Sequence, residues 1–144
     1  RRILVPIDWE ERSNRAFQLA SSLARENDAE LVVLFAVPLA AVMYGPPPAS
    51  YLDHLLEELH GIRPSDPKTR VQYRLVEGNA AAAILRAAKE LHCDLIVMGT
   101  HGRTGLSRLL MGSVAEEVVR KAPCLVLTVK SQGAANSIRS PAAI

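Results

Sequence analysis

The strongest constraint in this sequence is the regular alternation of short apolar runs with segments of helical periodicity. Residues 2–7 form the first apolar run, and Ala16, Leu19, Ala20 and Leu23 follow at the i, i+3, i+4 and i+7 spacing of an amphipathic helix. The same succession continues to the last apolar run. Strands that alternate with helices form parallel sheets through right-handed crossover connections. The order predicts an α/β fold with an open five-stranded parallel sheet and helices on both faces, of the Rossmann-like type.

The apolar runs also indicate where each strand lies in the sheet. Three of them are apolar almost throughout, which is typical of central strands that are covered on both faces. Residues 69–76 instead alternate between apolar and polar side chains, and we expect this strand at a sheet edge. The last run, 124–129, is apolar, and we interpret it as a second edge, which tends to pair with another chain.

Length and composition limit the classes of protein that need to be considered. The 144 residues correspond to one domain, with the globular domain expected at 1–130 and a flexible C-terminal tail or linker at 131–144. The net charge is +2, the basic residues are scattered along the chain, and only 4% of the residues are aromatic. These features argue against a nucleic-acid partner. No apolar run reaches the roughly 18 residues of a membrane helix, and we expect no membrane association. Cys93 and Cys124 adjoin apolar runs and resemble free thiols in a reducing compartment, which favours a cytoplasmic protein.

The stretch MGTHGRTGLSRLLMGS, residues 98–113, is the segment most suggestive of a binding site. Gly99, Gly102 and Gly105 are spaced by three and three, so this is not the dinucleotide fingerprint. No Gly-Lys-Ser/Thr follows, which excludes a P-loop. The second glycine of a nucleophile elbow is missing after Ser107.

Two interpretations of the stretch remain open on these residues alone. In the first, the backbone N–H groups of Gly112, Ser113 and Val114 bind a phosphate at a helix N-terminus, and positive charge is added by His101, Arg103 and Arg108. In the second, Ser113 is the N-cap of a helix and Glu116 completes a capping box. The two compete for the same N–H groups.

The glycines, taken with other segments, resemble a known family. Gly99-x2-Gly102-x9-Gly112-Ser113 is similar to the ATP-binding signature of the universal stress proteins. The resemblance extends over about residues 2–130 and includes the Pro-x-Asp at the end of the first strand, Val37 at the end of the second, Glu77-Gly78, and the run from Asp94 to Gly99. It implies a sheet order of 3-2-1-4-5, in which the loops after strands one and four face each other across one crevice.

The resemblance also implies a role for each site residue. The adenine pocket would be lined by Asp8, Val37 and Met98, and the ribose would be contacted by Pro6, Ile7 and Gly99. The phosphates would be held by Gly102, Gly112, Ser113 and Val114, with Arg103 as a further candidate. The implied ligand is ATP, or AMP or ADP, with Mg²⁺ or Mn²⁺ bridging the phosphates. A homodimer through the last strand, Leu125 to Val129, is implied as well.

Two departures from the family pattern adjoin this crevice. Ile7 cannot offer the hydroxyl that a threonine would, and Trp9-Glu10 replaces the small polar residues common after the aspartate. The expected function is that of an ATP-binding, nucleotide-dependent factor in the stress response. The alternatives are a slow ATP hydrolase, for which His101 is the candidate catalytic group, and a nucleotide-free dimeric interaction module.

Overall fold

A computed structural model describes residues 1–8, 15–38, 43–100 and 111–130. Five strands and four helices alternate along these segments, as the periodicity predicts. The strands are β1 (Arg2–Pro6), β2 (Glu30–Val37), β3 (Val71–Glu77), β4 (Leu95–Gly99) and β5 (Leu125–Val129). The helices are α1 (Arg15–Glu26), α2 (Ala49–His60), α3 (Ala80–Glu90) and α4 (Ser113–Lys121).

The five strands form one parallel sheet in the order β3-β2-β1-β4-β5, which confirms the expected architecture. β1 lies at the centre, where Leu4 and Val5 are fully buried because helices cover both faces of the sheet. β3 and β5 lie at the two edges, as their sequence patterns predict.

Alternate residues of each strand build two separate core layers. In β2, Leu31, Val33 and Phe35 pack into a cluster with buried residues of α1 and α2, whereas Val32 and Leu34 pack into a cluster with α3 and α4. Successive side chains of a strand point to opposite faces of the sheet, so the run of seven apolar residues from Leu31 to Val37 serves both layers.

The starts of α3 and α2 differ in their capping. Asn79 is the N-cap of α3, as its position before the helical pattern indicates, and its side chain accepts a hydrogen bond from the Ala82 N–H. In contrast, α2 begins at Ala49 after Pro48 and has no side-chain cap. The described part of the chain contains no helix of the length and apolar character needed to cross a membrane.

Candidate functional site

The expected crevice lies where the chain changes direction across the sheet. The connection from β1 to β2 runs to one side, while that from β3 crosses to β4 on the other side of β1. Ligands of open α/β sheets bind at such a switch point, beyond the carboxyl ends of the strands. Ile7 and Asp8 follow β1 there, and Thr100 follows β4. The sheet order therefore brings the two loops singled out in the sequence to the same edge.

Pro6 explains why the sheet opens at this point. The Ile7 N–H donates to the Leu34 carbonyl of β2 at 2.9 Å, so the alternate position, Pro6, faces β4. Proline has no N–H to donate. The ladder between β1 and β4 accordingly contains only the pairs Ile3–Leu95 and Leu4–Ile96 and ends before the crevice.

Val37 and Met98 reach this edge from opposite faces of the sheet. Val37 is fully buried in the core layer under α1 and α2, and its carbonyl accepts a hydrogen bond from the Gly78 N–H at 3.3 Å. Met98 is 5% exposed and belongs to the layer under α3 and α4. The structure thus places both residues at the predicted end of the sheet but does not bring their side chains together.

The β1 side of the crevice is mostly apolar. Ile7 is 7% exposed and packs into the layer under α1 and α2, while Pro6 is half-buried. Asp8 is half-buried and supplies a carboxylate directly after this apolar segment. Gly99, at the end of β4, is also half-buried and pairs with Val129 of β5.

The start of α4 differs from the capping box that the sequence suggested. The N-cap is Gly112 (φ −63°, ψ 158°), Ser113 is the first helical residue, and no side chain caps the helix. The physical reason lies in the main chain. The Glu116 N–H donates to the Gly112 carbonyl at 3.0 Å, so the helix starts one residue earlier than a Ser113 cap requires. The prediction of Ser113 as N-cap was wrong.

The backbone donors of this helix also differ by one residue from those expected. The Gly112 N–H donates to the Thr100 carbonyl at 2.6 Å, so in this structure that donor is paired within the chain. Ser113 and Val114 occupy the first two helical positions, where an N–H has no acceptor within the helix. Ser113 is exposed and Val114 half-buried. These two N–H groups, with the positive end of the helix dipole, can bind an anion.

Thr100 was not among the residues selected from the sequence. It acts through its main chain, and a main-chain contact between the end of a strand and a helix start has no side-chain signature. The other four candidates of the glycine stretch, His101, Gly102, Arg103 and Arg108, lie outside the described residues, as does Trp9.

The groups with a shifted pKa lie away from the crevice. Cys93 precedes β4 at the opposite end of the sheet, and burial, with a smaller contribution from Cys124, raises its pKa to about 11. Its thiol is therefore protonated near neutral pH and is a poor nucleophile.

A groove of about 230 Å³ between α1 and the loop at Pro64–Asp66 contains none of the predicted site residues.

No cluster of three or more His, Cys, Asp or Glu side chains suited to a metal ion occurs within residues 1–8, 15–38, 43–100 and 111–130. In proteins, Mg²⁺ commonly takes part of its oxygen ligands from bound phosphates.

The fold and the crevice define a class: doubly wound α/β proteins with a ligand site at the switch point of the sheet. The model of the universal stress protein family matches residues 1–130. A universal stress protein of Methanocaldococcus jannaschii is 34% identical over 139 residues, which cover 90% of this chain and 82% of that protein. The chain belongs to the universal stress protein family.

Solved structures of related proteins have the same architecture. A universal stress protein in complex with cAMP superposes with a TM-score of 0.68 at 25% identity, covering 90% of this chain and 96% of the other. A universal stress protein of Archaeoglobus fulgidus in complex with dAMP gives a TM-score of 0.67 at 21% identity, covering 90% and 97%. At 21% identity, the similarity to the dAMP complex shows a shared fold only.

Proposed function

We propose that this protein binds an adenine nucleotide in the crevice between the ends of β1 and β4, and that ATP is its main ligand. The observation that carries the proposal is the start of α4, where the N–H groups of Ser113 and Val114 have no intrahelical acceptors and, among the described residues, no side chain caps the helix. The universal stress protein that was solved with cAMP shares this fold and supports an adenine nucleotide as the ligand. The biological role would be that of a nucleotide-dependent factor in the stress response.

In this proposal each wall of the crevice contacts one part of the nucleotide. The phosphates lie at Ser113 and Val114, with Gly102 and Arg103 contributing from the same glycine stretch, and Mg²⁺ or Mn²⁺ bridges them. The ribose contacts Pro6, Ile7 and Gly99. The adenine lies across the end of the sheet near Asp8, so that Val37 and Met98 support it from the two core layers.

The first test asks whether a nucleotide binds at all. Freshly purified protein is denatured by heat and the supernatant is chromatographed, while stripped protein is titrated with Mg-ATP, Mg-ADP and AMP by calorimetry. Release or binding of an adenine nucleotide is the expected result. Neither release nor binding would leave the nucleotide-free interaction module as the function. Phosphate release above background in single-turnover reactions would instead establish the ATP hydrolase.

The second test places the phosphates at α4. Ser113→Pro removes one N–H at the first helical position, where proline is well tolerated, and the ψ of 158° at Gly112 suits a following proline. Since a hydrogen bond to a charged group contributes about 1.5–3 kcal/mol, ATP affinity should fall by roughly 10- to 100-fold. Ser113→Ala, which keeps the N–H, should reduce the affinity less.

The matched control is Ala80→Pro. Ala80 is the first helical residue of α3, and Asn79 before it has a ψ of 128°, so this helix tolerates the same change. Nucleotide affinity should stay at the wild-type value. Equal losses in Ser113→Pro and Ala80→Pro would show that the phosphates do not bind at α4.

We also propose a homodimer in which the β5 strands of two copies pair antiparallel. β5 is an edge strand, and its side chains Leu125 and Leu127 are 75% and 39% exposed. An apolar edge of this kind favours pairing with another strand. Sedimentation velocity should show a dimer, and Leu127→Lys should dissociate it. Tyr51→Lys, at a 39%-exposed position on α2, is the control that should leave it intact.

Two further assignments belong to the proposal. The nucleotide-binding domain comprises residues 1–130, and residues 131–144 form a flexible tail or a linker. The protein acts in the cytoplasm, where its free thiols Cys93 and Cys124 would remain reduced. Limited proteolysis, which should remove the tail and spare the domain, tests the first assignment.

A further inference from the structure

One residue connects the edge strand β5 to the start of α4. The Thr100 N–H donates to the carbonyl of Val129, the last residue of β5, at 3.0 Å. The Thr100 carbonyl accepts a hydrogen bond from the Gly112 N–H at 2.6 Å. We call these two bonds the Thr100 link. They form a continuous main-chain connection from the end of β5 to the N-cap of α4.

The link determines where the phosphate donors of α4 lie. Gly112 is the N-cap, and its carbonyl accepts a bond from the Glu116 N–H at 3.0 Å, so it is part of the first helical turn. Ala115, within that turn, and Val118 anchor α4 in the core and are 2% and 0% exposed. The position of Thr100 therefore determines where the N-cap lies relative to the N–H groups of Ser113 and Val114, which follow it directly.

The other end of the link belongs to the strand proposed to form the dimer. In the described sheet β5 pairs only with β4, so its other edge is unpaired in a single copy, and the side chains of Leu125 and Leu127 are exposed on one face of the sheet. Pairing with a second copy would order the backbone of β5, including Val129. A segment that one ligand has already ordered costs less entropy when the second ligand binds.

We infer that the Thr100 link couples the two sites, with Thr100 as a positioning residue, so that nucleotide binding and pairing of β5 with a second copy strengthen each other. This inference rests on the proposed nucleotide site and dimer. By linkage, because each dimer carries two nucleotide sites, the factor by which saturating nucleotide lowers the dimer dissociation constant equals the square of the factor by which dimerisation raises nucleotide affinity at each site. Coupling of this kind commonly amounts to about 5- to 150-fold.

Gly112→Pro breaks the link with little change of backbone shape. The φ of −63° at Gly112 matches the angle that the proline ring imposes, so the substitution mainly removes the N–H that bonds to Thr100. Gly112→Ala is the matched control, because it adds a side-chain carbon and keeps the N–H. The dimer dissociation constant of each variant and of the wild type is measured by sedimentation with and without saturating Mg-ATP.

The wild type and Gly112→Ala should dimerise at least about 5-fold more tightly with nucleotide, and Gly112→Pro should show a ratio near one. A wild-type ratio of one, with both nucleotide binding and dimerisation measurable, would overturn the inference and leave the proposed function intact. Retention of the full ratio in Gly112→Pro would overturn the role of the link. Absence of nucleotide binding in the wild type would instead refute the proposed function.

A second variant tests the coupling without any change near the crevice. Leu127→Lys should dissociate the dimer and lower nucleotide affinity by the square root of the factor by which saturating nucleotide tightens the wild-type dimer. Tyr51→Lys, on the helix that packs near the opposite edge strand, should change neither quantity. Monomeric Leu127→Lys with wild-type nucleotide affinity would contradict the coupling, whatever the behaviour of Gly112→Pro.

Discussion

Asn79 Oδ1 accepts a hydrogen bond from the Ala82 N–H at 3.0 Å and so closes the first turn of α3. α3 and α4 both follow a strand, and both helices therefore begin at the carboxyl edge of the sheet. Their first turns are treated differently, because α4 begins at Gly112 without a side-chain cap. A side chain therefore caps one N–H of the first turn of α3, whereas at the start of α4 the N-cap N–H donates to the main chain of Thr100.

The cap of α3 should contribute measurably to stability. We expect Asn79→Ala to lower the free energy of unfolding by about 1 kcal/mol, because the substitution removes the acceptor for the Ala82 N–H. Urea denaturation of nucleotide-free protein measures the loss. Ser50→Ala is the control, since Ser50 lies in the first turn of α2, which has no side-chain cap, and its effect should stay within about 0.5 kcal/mol. Similar losses in both variants would contradict the assignment of the cap.

Gly78 should be intolerant of any side chain for a conformational reason. Its φ is +115°, which an L-residue rarely adopts, although a Cβ there would have no atom within 4 Å. We expect Gly78→Ala to cost about 1–3 kcal/mol, as backbone strain of this kind does. Gly61→Ala, at a φ of −72°, should cost less. Thermal unfolding of the two variants provides the comparison, and a harmless Gly78→Ala would refute the strained conformation.

Tyr73 connects the edge strand β3 to the segment after α2 through a side-chain hydrogen bond. Its hydroxyl donates to the Ile62 carbonyl at 2.7 Å, and its ring meets that of His60 edge-on at 4.7 Å. Tyr73→Phe keeps the ring and removes the hydrogen bond, which should lower stability by about 1 kcal/mol. Tyr51→Phe, on the exposed side of α2, should have little effect on the unfolding midpoint in urea. Equal midpoints for Tyr73→Phe and the wild type would show that the bond contributes nothing.

Stability should decline in alkali because of Cys93. Burial raises the pKa of its thiol from 9.0 to about 11, so between these values the folded protein retains a proton that the unfolded chain releases. The contribution of Cys93 is therefore fully present below pH 9 and is lost as the pH rises towards 11. Burial also raises the pKa of Cys124 and of Tyr73, which steepens the decline. Cys93→Ala should show a shallower fall in unfolding free energy from pH 8 to 11. An unchanged slope would contradict the shifted thiol.

Much of the architecture could be predicted from local patterns. The alternation at residues 69–76 placed β3 at an edge, and Asn79 before a helical pattern indicated the cap of α3. Both depend on interactions over a few residues, which the sequence displays directly. The family resemblance supplied the strand order, which periodicity alone does not contain.

The start of α4 shows the limit of prediction from local sequence patterns. Ser113 and Glu116 have the spacing of a capping box, but the helix begins at Gly112, whose N–H bonds to Thr100. Thr100 is twelve residues earlier and lies beside Gly112 only because β4 ends next to the helix. A local pattern cannot register a competing main-chain acceptor that tertiary structure supplies.

The sequence by itself determined the strand and helix order, the burial of the central strands and the membership of the family. These follow from hydrophobic periodicity and from short motifs. The tertiary structure alone decided three features of the crevice: the gap beside Pro6, the opposite faces of Val37 and Met98, and the donors left at Ser113 and Val114. Each depends on how strands and helices lie beside one another, and that arrangement exists only once the sheet has assembled.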